Sequence, residues 1–292
     1  MWTVTSRSII VIFGWLILPC AWGYIPRAHF IFEKAAEQHG RGAYQVVQEV
    51  QIPIGQDTFA AREYWTIVNG ESLYVFIEGL KSWQDRIKMA VVFTKDKRYS
   101  VNENGQVQTD FVSRDFIEPY FHFRSAKGIA GFLVNAQIAP QNALAELPAP
   151  ANLTLKPKIE PQKFVRLARL DSAITYAIGK ATPDAAKVGF PGLWIEQDTF
   201  NVLKLRLPSL SEVRAEDYAI YPQNLQLPKK RTVRWGQNSA TIFTVKVAHL
   251  GSAGEAQNKV QPGYLSDLVD RQKMRALLPA DPVVKEFYTR FR

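Results

Sequence analysis

From Tyr44 to Ile52 apolar and polar positions alternate. Tyr44, Val46, Gln48, Val50 and Ile52 fall on one side of an extended chain, and Gln45, Val47, Glu49 and Gln51 on the other. A period of two predicts a strand with one buried face. Ahead of it, Ile25 to His39 reads as a short helix, with Pro26 early and Gly40 and Gly42 ending it. Phe59 to Val68 is a second strand carrying Trp65 and Ile67 on one face. Asn69-Gly70 is expected to supply the left-handed turn of a hairpin into Leu73 to Ile77. Ile87, Met89, Val91 and Phe93 mark a fourth strand, and Asn104-Gly105 turns a pair at Arg98 to Asn102 and Gln106 to Thr109. The first block is thus an antiparallel meander.

The period changes at Phe111. Phe116, Ile117, Tyr120 and Phe121, then Ile129, Phe132 and Leu133, recur at helical spacing, which predicts two short helices broken near Lys127-Gly128. Prolines at 140, 148, 150, 157 and 161 make the next stretch a linker or long surface loop. Strands resume at Phe164 to Leu170, Ala173 to Gly179, Leu193 to Glu196 and Phe200 to Leu207, where Leu203, Leu205 and Leu207 alternate with Lys204 and Arg206. A last hairpin is predicted from Arg231 to Trp235 and Thr241 to Val247, around Gly236-Gln237-Asn238. Ser252 to Gly263 is loose and polar. The tail offers helices at Leu265 to Leu278 and, after the start signal Asp281-Pro282, at Val283 to Phe291. The pattern alone leaves open whether the two meanders are two small domains or one curved sheet, and bare strand edges would in either case need cover.

The chain begins with an export signal. Arg7 precedes an apolar run from Ile9 to Trp22, and Ala21-Trp22-Gly23 sets small residues where signal peptidase reads, so the mature chain is expected to start at Tyr24. The run falls short of the roughly 20 residues a helix needs to cross a bilayer, so no stable transmembrane segment is expected after cleavage. Cys20 is the single cysteine, and Pro19 stands where a lipid-attachment signal needs a small residue, which makes lipid anchoring at Cys20 the lesser reading. Without Cys20 the mature protein has neither disulfide nor thiolate chemistry and relies on a hydrophobic core. The apolar fraction of 47% is ordinary. The net charge of +9, of which Arg7 supplies one, favours anionic surfaces such as lipid headgroups or cell-wall polymers, or else is a mild excess on a solvated surface. Lys229-Lys230-Arg231, the longest basic run, lacks interleaved aromatics, which argues against a nucleic-acid partner.

The second meander also carries a resemblance. Phe164 to Asp171, Ala173 to Gly179, the run Leu193-Trp194-Ile195-Glu196-Gln197-Asp198-Thr199-Phe200 and Leu203-Lys204-Leu205-Arg206 resemble the pattern of the periplasmic outer-membrane lipoprotein-sorting carriers, in which a strand ends in Trp, turns on acidic residues and pairs back. Tyr221-Pro222, the strands from Arg231 to Val247, and Tyr44 to Val50 with Trp65 continue it, so it spans roughly residues 25 to 250. The resemblance implies a mainly β fold: an antiparallel half-open β-barrel, unclosed, covered by short helices that act as a lid, with an apolar interior for acyl chains of a lipid or lipoprotein. Burial of such a chain is worth about 0.8 kcal/mol per methylene. Candidates for that interior are Val46, Val50, Trp65, Ile67, Val75, Ile77, Met89, Val91, Leu203, Leu205, Trp235 and Phe243, with Phe116, Phe121, Ile129 and Phe132 on the lid. Each also fits plain core packing. The family's Arg-Pro pair after the early Trp is missing from Trp65-Thr66-Ile67-Val68-Asn69-Gly70, so its lid latch and handover cycle do not carry over, and the tail from Tyr264 has no counterpart.

Catalytic signatures are not found. His29, His39, His122 and His249 show no ligand spacing, so neither metal nor cofactor is expected. Gly251-Ser252-Ala253-Gly254 lacks the spacing of a serine elbow. Gly40 and Gly42 close a helix rather than open one, and Glu196 with Asp198 sits at a turn where Asp is favoured for backbone reasons. The sequence is therefore read as a leader (1–23), a half-barrel (24–252, with an insertion at 111–161) and a helical tail (253–292). Its expected function is that of a non-enzymatic periplasmic acyl-chain carrier. The alternative is an envelope structural or interaction protein on the same scaffold with a packed interior. A membrane-spanning barrel fits poorly with the helical stretches and with Lys and Arg on outward faces.

Overall fold

The computed structural model describes residues 25–144, 162–179, 191–251 and 253–292. The leader, with Cys20 and the expected cut before Tyr24, lies outside the described residues, as does most of the proline-rich stretch. The first meander forms β1 (Ala43–Ile54), β2 (Asp57–Asn69), β3 (Ser72–Gly79), β4 (Lys88–Thr94), β5 (Lys97–Val101) and β6 (Val107–Phe111). The second forms β7 (Val165–Leu170), β8 (Ala173–Gly179), β9 (Gly192–Glu196), β10 (Val202–Arg206), β11 (Glu212–Tyr221), β12 (Leu225–Trp235) and β13 (Asn238–Leu250).

One junction decides the architecture. β1 pairs with β2 on one side and with β13 on the other, from Ala43 opposite Leu250 to Gln51 opposite Thr241. The two meanders are therefore a single antiparallel sheet in the order β6-β5-β4-β3-β2-β1-β13-β12-β11-β10-β9-β8-β7. It is open between β6 and β7, and is the half-open barrel that the family resemblance implied.

Cross-strand ladders show how alternation builds the concave core. On one side Val46, Trp65, Val75 and Val91 stand opposite one another in turn. On the other, Val165, Ile178, Leu193, Leu205, Val213, Val233 and Ala240 do the same. All of these are buried in one core. A second core lies on the convex face, where Tyr74, Ala90, Val92 and Val101 meet Val260, Leu265, Leu268 and Met274. Strands β3 and β4 are thus covered on both faces.

Helices α1 (Ala28–Glu37) and α2 (Ala126–Asn135) join the concave core, as does a 3-10 turn at Glu118–Phe121. The interruption between turn and helix falls at His122 to Ser125 rather than at Lys127-Gly128, because the Ser125 hydroxyl caps α2 by accepting from the Gly128 amide at 3.0 Å. The polar stretch after Ser252 is not loose: it forms α3 (Ala253–Lys259). The next helix, α4 (Pro262–Gln272), is shorter than the spacing predicts, ending where Lys273 turns left-handed at φ 52°. The chain then crosses the sheet rim, with Leu277 paired to Lys88 through two backbone bonds of 2.8 and 2.9 Å. Finally α5 (Pro282–Arg290) starts as expected, with Asp281 capping Val283 and Val284 and Pro282 in the first turn. It enters the concave core, so the tail lies on the convex face up to α4 and inside the half-barrel from α5 onward.

The Asn69-Gly70 turn differs from expectation. Gly70 does not take the left-handed conformation. A side chain there is excluded instead by Phe123, whose Cδ1 would lie 2.5 Å from an added Cβ.

Candidate functional site

The concave interior contains a buried charge cluster. Glu63, on β2, and Glu118, in the 3-10 turn, are both fully buried. Arg292 donates through Nε to both Glu63 oxygens at 2.9 and 3.0 Å, and its Nη1 lies 3.6 Å from Glu118. Arg231, on β12, forks onto Glu118 at 3.0 and 3.2 Å. Gln48 donates to Glu118 at 3.0 Å, and the Trp65 indole donates to Glu63 at 2.9 Å. Burial alone would raise the Glu118 carboxyl, but Arg231, a hydrogen bond from His122 and Arg292 together hold it well below the usual carboxylate range. Two acids face two guanidiniums, and each charge has a partner.

Aromatic rings fill the space beside this cluster. Phe93 and Phe116 stack at 4.2 Å, each also stacked with Trp65, and the Arg292 guanidinium lies 5.5 Å from the Trp65 ring. Phe287 and Phe291 pack on Trp235 at 5.8 and 5.3 Å.

The sequence-derived candidates therefore meet in a packed core. Val46, Val50, Trp65, Ile67, Val75, Ile77, Met89, Val91, Leu205 and Trp235 all lie in it. Two do not. A bulge between Val202 and Lys204 takes Leu203 out of the ladder, and Val202 packs inside in its place. Phe243 faces the other way because the final turn has two residues, Gly236 and Gln237, not three. Trp235 pairs with Asn238, which puts Ile242 inside opposite Arg231. A slip of one residue exchanges the faces of a strand. Of the lid candidates, Phe116, Phe121 and Ile129 are buried in the core, and only Phe132 reaches an open surface.

That surface is a cleft of about 1000 Å³ at the other rim, at the upper end of the roughly 300–1,000 Å³ usual for small-molecule sites. The β2–β3 turn, the β4–β5 turn, the segment after β6 and α2 surround it. Its apolar surface comes from Phe111, Val112, Phe123 and Phe132, the first of which is 75% exposed. Phe123 fits between turn and helix because Gly70 and Gly128 both lack a side chain. Lys95, Arg114, Arg124 and Lys127 line the cleft against Glu71 and Asp96. None of these four cations forms a salt bridge among the described residues. Arg124 is held by the face of Tyr44, 5.5 Å away, and its Nε is buried without a hydrogen-bond partner. Sequence reading missed this site because its residues come from turns and from one helix face, where no period marks them.

Beneath the cleft, the His39 imidazole lies 2.5 Å from the Phe123 carbonyl, and burial pushes its pKa down to about 3 despite that bond. Burial also lowers His122, against the pull of Glu118. As pH falls from about 6.5 toward 3, the unfolded chain takes up protons on these imidazoles that the native state refuses, so stability falls. Below about 4.5 Glu118 adds to the loss, because its native carboxylate also resists protonation. The melting temperature is expected to be level above pH 7 and to decline from pH 6.5 downward, with His39→Gln flattening the upper part of that decline. A flat profile between pH 7 and 4.5 would contradict the assignment.

Among the described residues no helix is long and apolar enough to cross a membrane, and no group of three or more His, Cys, Asp or Glu side chains could hold a metal ion.

Fold and cleft together define an open antiparallel half-barrel with an amphipathic cleft at one rim. In overall outline it is similar to a LolA superfamily protein from Nitrosomonas europaea, at 16% identity and TM-score 0.48, covering 78% of this chain and 96% of that one. It is also similar to an outer membrane lipoprotein-sorting protein domain from Vibrio parahaemolyticus, at 10% identity and TM-score 0.48, covering 82% and 97%. A DUF1329 family protein from Desulfovibrio piger is similar at 10% identity and TM-score 0.48, covering 82% and 100%. No family model and no curated protein matches the sequence.

Proposed function

We propose that the protein is an exported, non-enzymatic carrier that holds an anionic amphiphile, an acyl chain of a lipid or lipoprotein, in the cleft beside α2. The acyl chain lies on Phe111, Phe123 and Phe132, and the headgroup meets Arg124, Arg114 and Lys127. The observation that carries this reading is the pairing of an aromatic surface with four cations that lack salt-bridge partners among the described residues. A carboxylate or phosphate headgroup supplies the missing counter-charge. Export rests on the leader ending at Gly23.

Binding of a fluorescent fatty acid tests it. Wild-type protein should bind at micromolar concentration. Arg124→Ala should weaken binding at least tenfold, or about 1.4 kcal/mol, and Phe111→Asp, at a cleft side chain 75% exposed, should do the same with the melting temperature little changed. The packed interior favours a second reading, an envelope structural or interaction protein. Wild-type protein that binds no acyl probe would leave that reading in front.

A further inference from the structure

Inside the half-barrel, the segment 282–292 occupies its place differently from the strands around it. Val284, Phe287, Tyr288 and Phe291 are fully buried, yet among the described residues no backbone-to-backbone hydrogen bond ties the segment to the sheet. Its polar contacts run through side chains: Arg290 to Asp115 at 2.5 Å and to Ser211 at 3.0 Å, Glu286 to the Trp235 indole at 3.0 Å, and Arg292 to Glu63. Arg98 adds one bond to the Arg292 carbonyl. The segment can therefore leave without opening a strand pair. Polar satisfaction around it is incomplete: Arg292 Nη2, Arg231 Nε and Gln48 Oε1 are buried without partners.

Charge fixes what could replace it. With the segment in place, Glu63 and Glu118 are balanced by Arg231 and Arg292. Without it Glu63 loses its only guanidinium among the described residues and buried Asp115 loses Arg290, so two buried negative charges are left over. What remains is an apolar trough with a carboxylate beside the open face of Trp65, a pairing that suits an ammonium or guanidinium group.

We propose that residues 282–292 are an exchangeable plug, and that the trough beneath them is a second ligand site, for an alkyl chain bearing a cationic group that pairs with Glu63 beside Trp65. This site is independent of the cleft beside α2, which lies at the opposite rim and is lined by cations.

Hydrogen exchange on the full chain tests the proposal, with dodecylammonium as probe below its micelle concentration. Binding at micromolar concentration should speed exchange of the amides in 282–290 at least tenfold, leaving those of 262–272 unchanged. Dodecanoate, even if it fills the cleft, should leave 282–290 protected. Glu63→Gln should weaken dodecylammonium binding at least tenfold. Should that variant fail to fold, the wild-type exchange result decides. No micromolar binding of dodecylammonium, binding that leaves 282–290 protected, or equal release by dodecanoate would each overturn it.

Discussion

Replacing Glu118 with Gln is expected to lower stability by about 3–5 kcal/mol and the melting temperature by roughly 10 °C. Glu118 is fully buried and receives both arms of Arg231 together with bonds from Gln48 and His122. Its removal as a charge leaves the Arg231 guanidinium, 2% exposed, with no carboxylate in reach. The attraction within the pair is largely offset by the cost of taking both charges from water, so the penalty comes from breaking the pair rather than from lacking it. A double variant, Glu118→Gln with Arg231→Met, should therefore be more stable than the single one. Denaturant unfolding of the four proteins of this cycle measures the coupling. A Glu118→Gln cost under about 1 kcal/mol would show that water reaches the cluster.

How much of this was legible varies by element. Strands β1 and β2 could be read from alternation because one face is apolar and the ladder between them runs unbroken from Tyr44 opposite Ile67 to Ile54 opposite Asp57. Strand β11 could not: it keeps one register from Glu212 opposite Arg234 to Tyr221 opposite Leu225, but only Val213 and Ala215 are buried, so Glu212–Tyr221 carries no continuous apolar face. Leu203 was displaced by a bulge between Val202 and Lys204, which shifts the period. Cover on the convex face did leave a trace, since Met89-Ala90-Val91-Val92-Phe93 is apolar at every position, as a strand buried on both sides must be. The filling of the interior left none. Arg292 looks like any surface charge until its neighbours in space, Glu63 and Glu118, are known, and they lie far away in sequence. The strands were therefore readable from alternation and their union in one open barrel from the family resemblance, whereas the rim cleft, made from turns, and the filling of the interior by α5, made by tertiary placement, were not.

Separate expression of the two meanders should yield no folded protein. Residues 24–138 carry β1 to β6 and α2, and residues 162–292 carry β7 to β13 and the tail; the cut between them strips β1 of β13 over the ladder from Ala43 to Gln51. Each piece then presents a bare central strand, a template for aggregation. Each also keeps only one partner of every Arg–Glu pair inside the core: Glu118 and Glu63 remain in the first piece, while Arg231 and Arg292 go with the second. Asp115 loses Arg290 in the same way. An apolar concave face without its other half, carrying unpaired buried charges, has no stable folded state to adopt. Each fragment should be insoluble or lack a cooperative melt, and refolding the two together from denaturant should recover a single transition. Two fragments that each melt cooperatively on their own would show that the β1–β13 junction joins two independent units, and that the half-barrel is not one cooperative body.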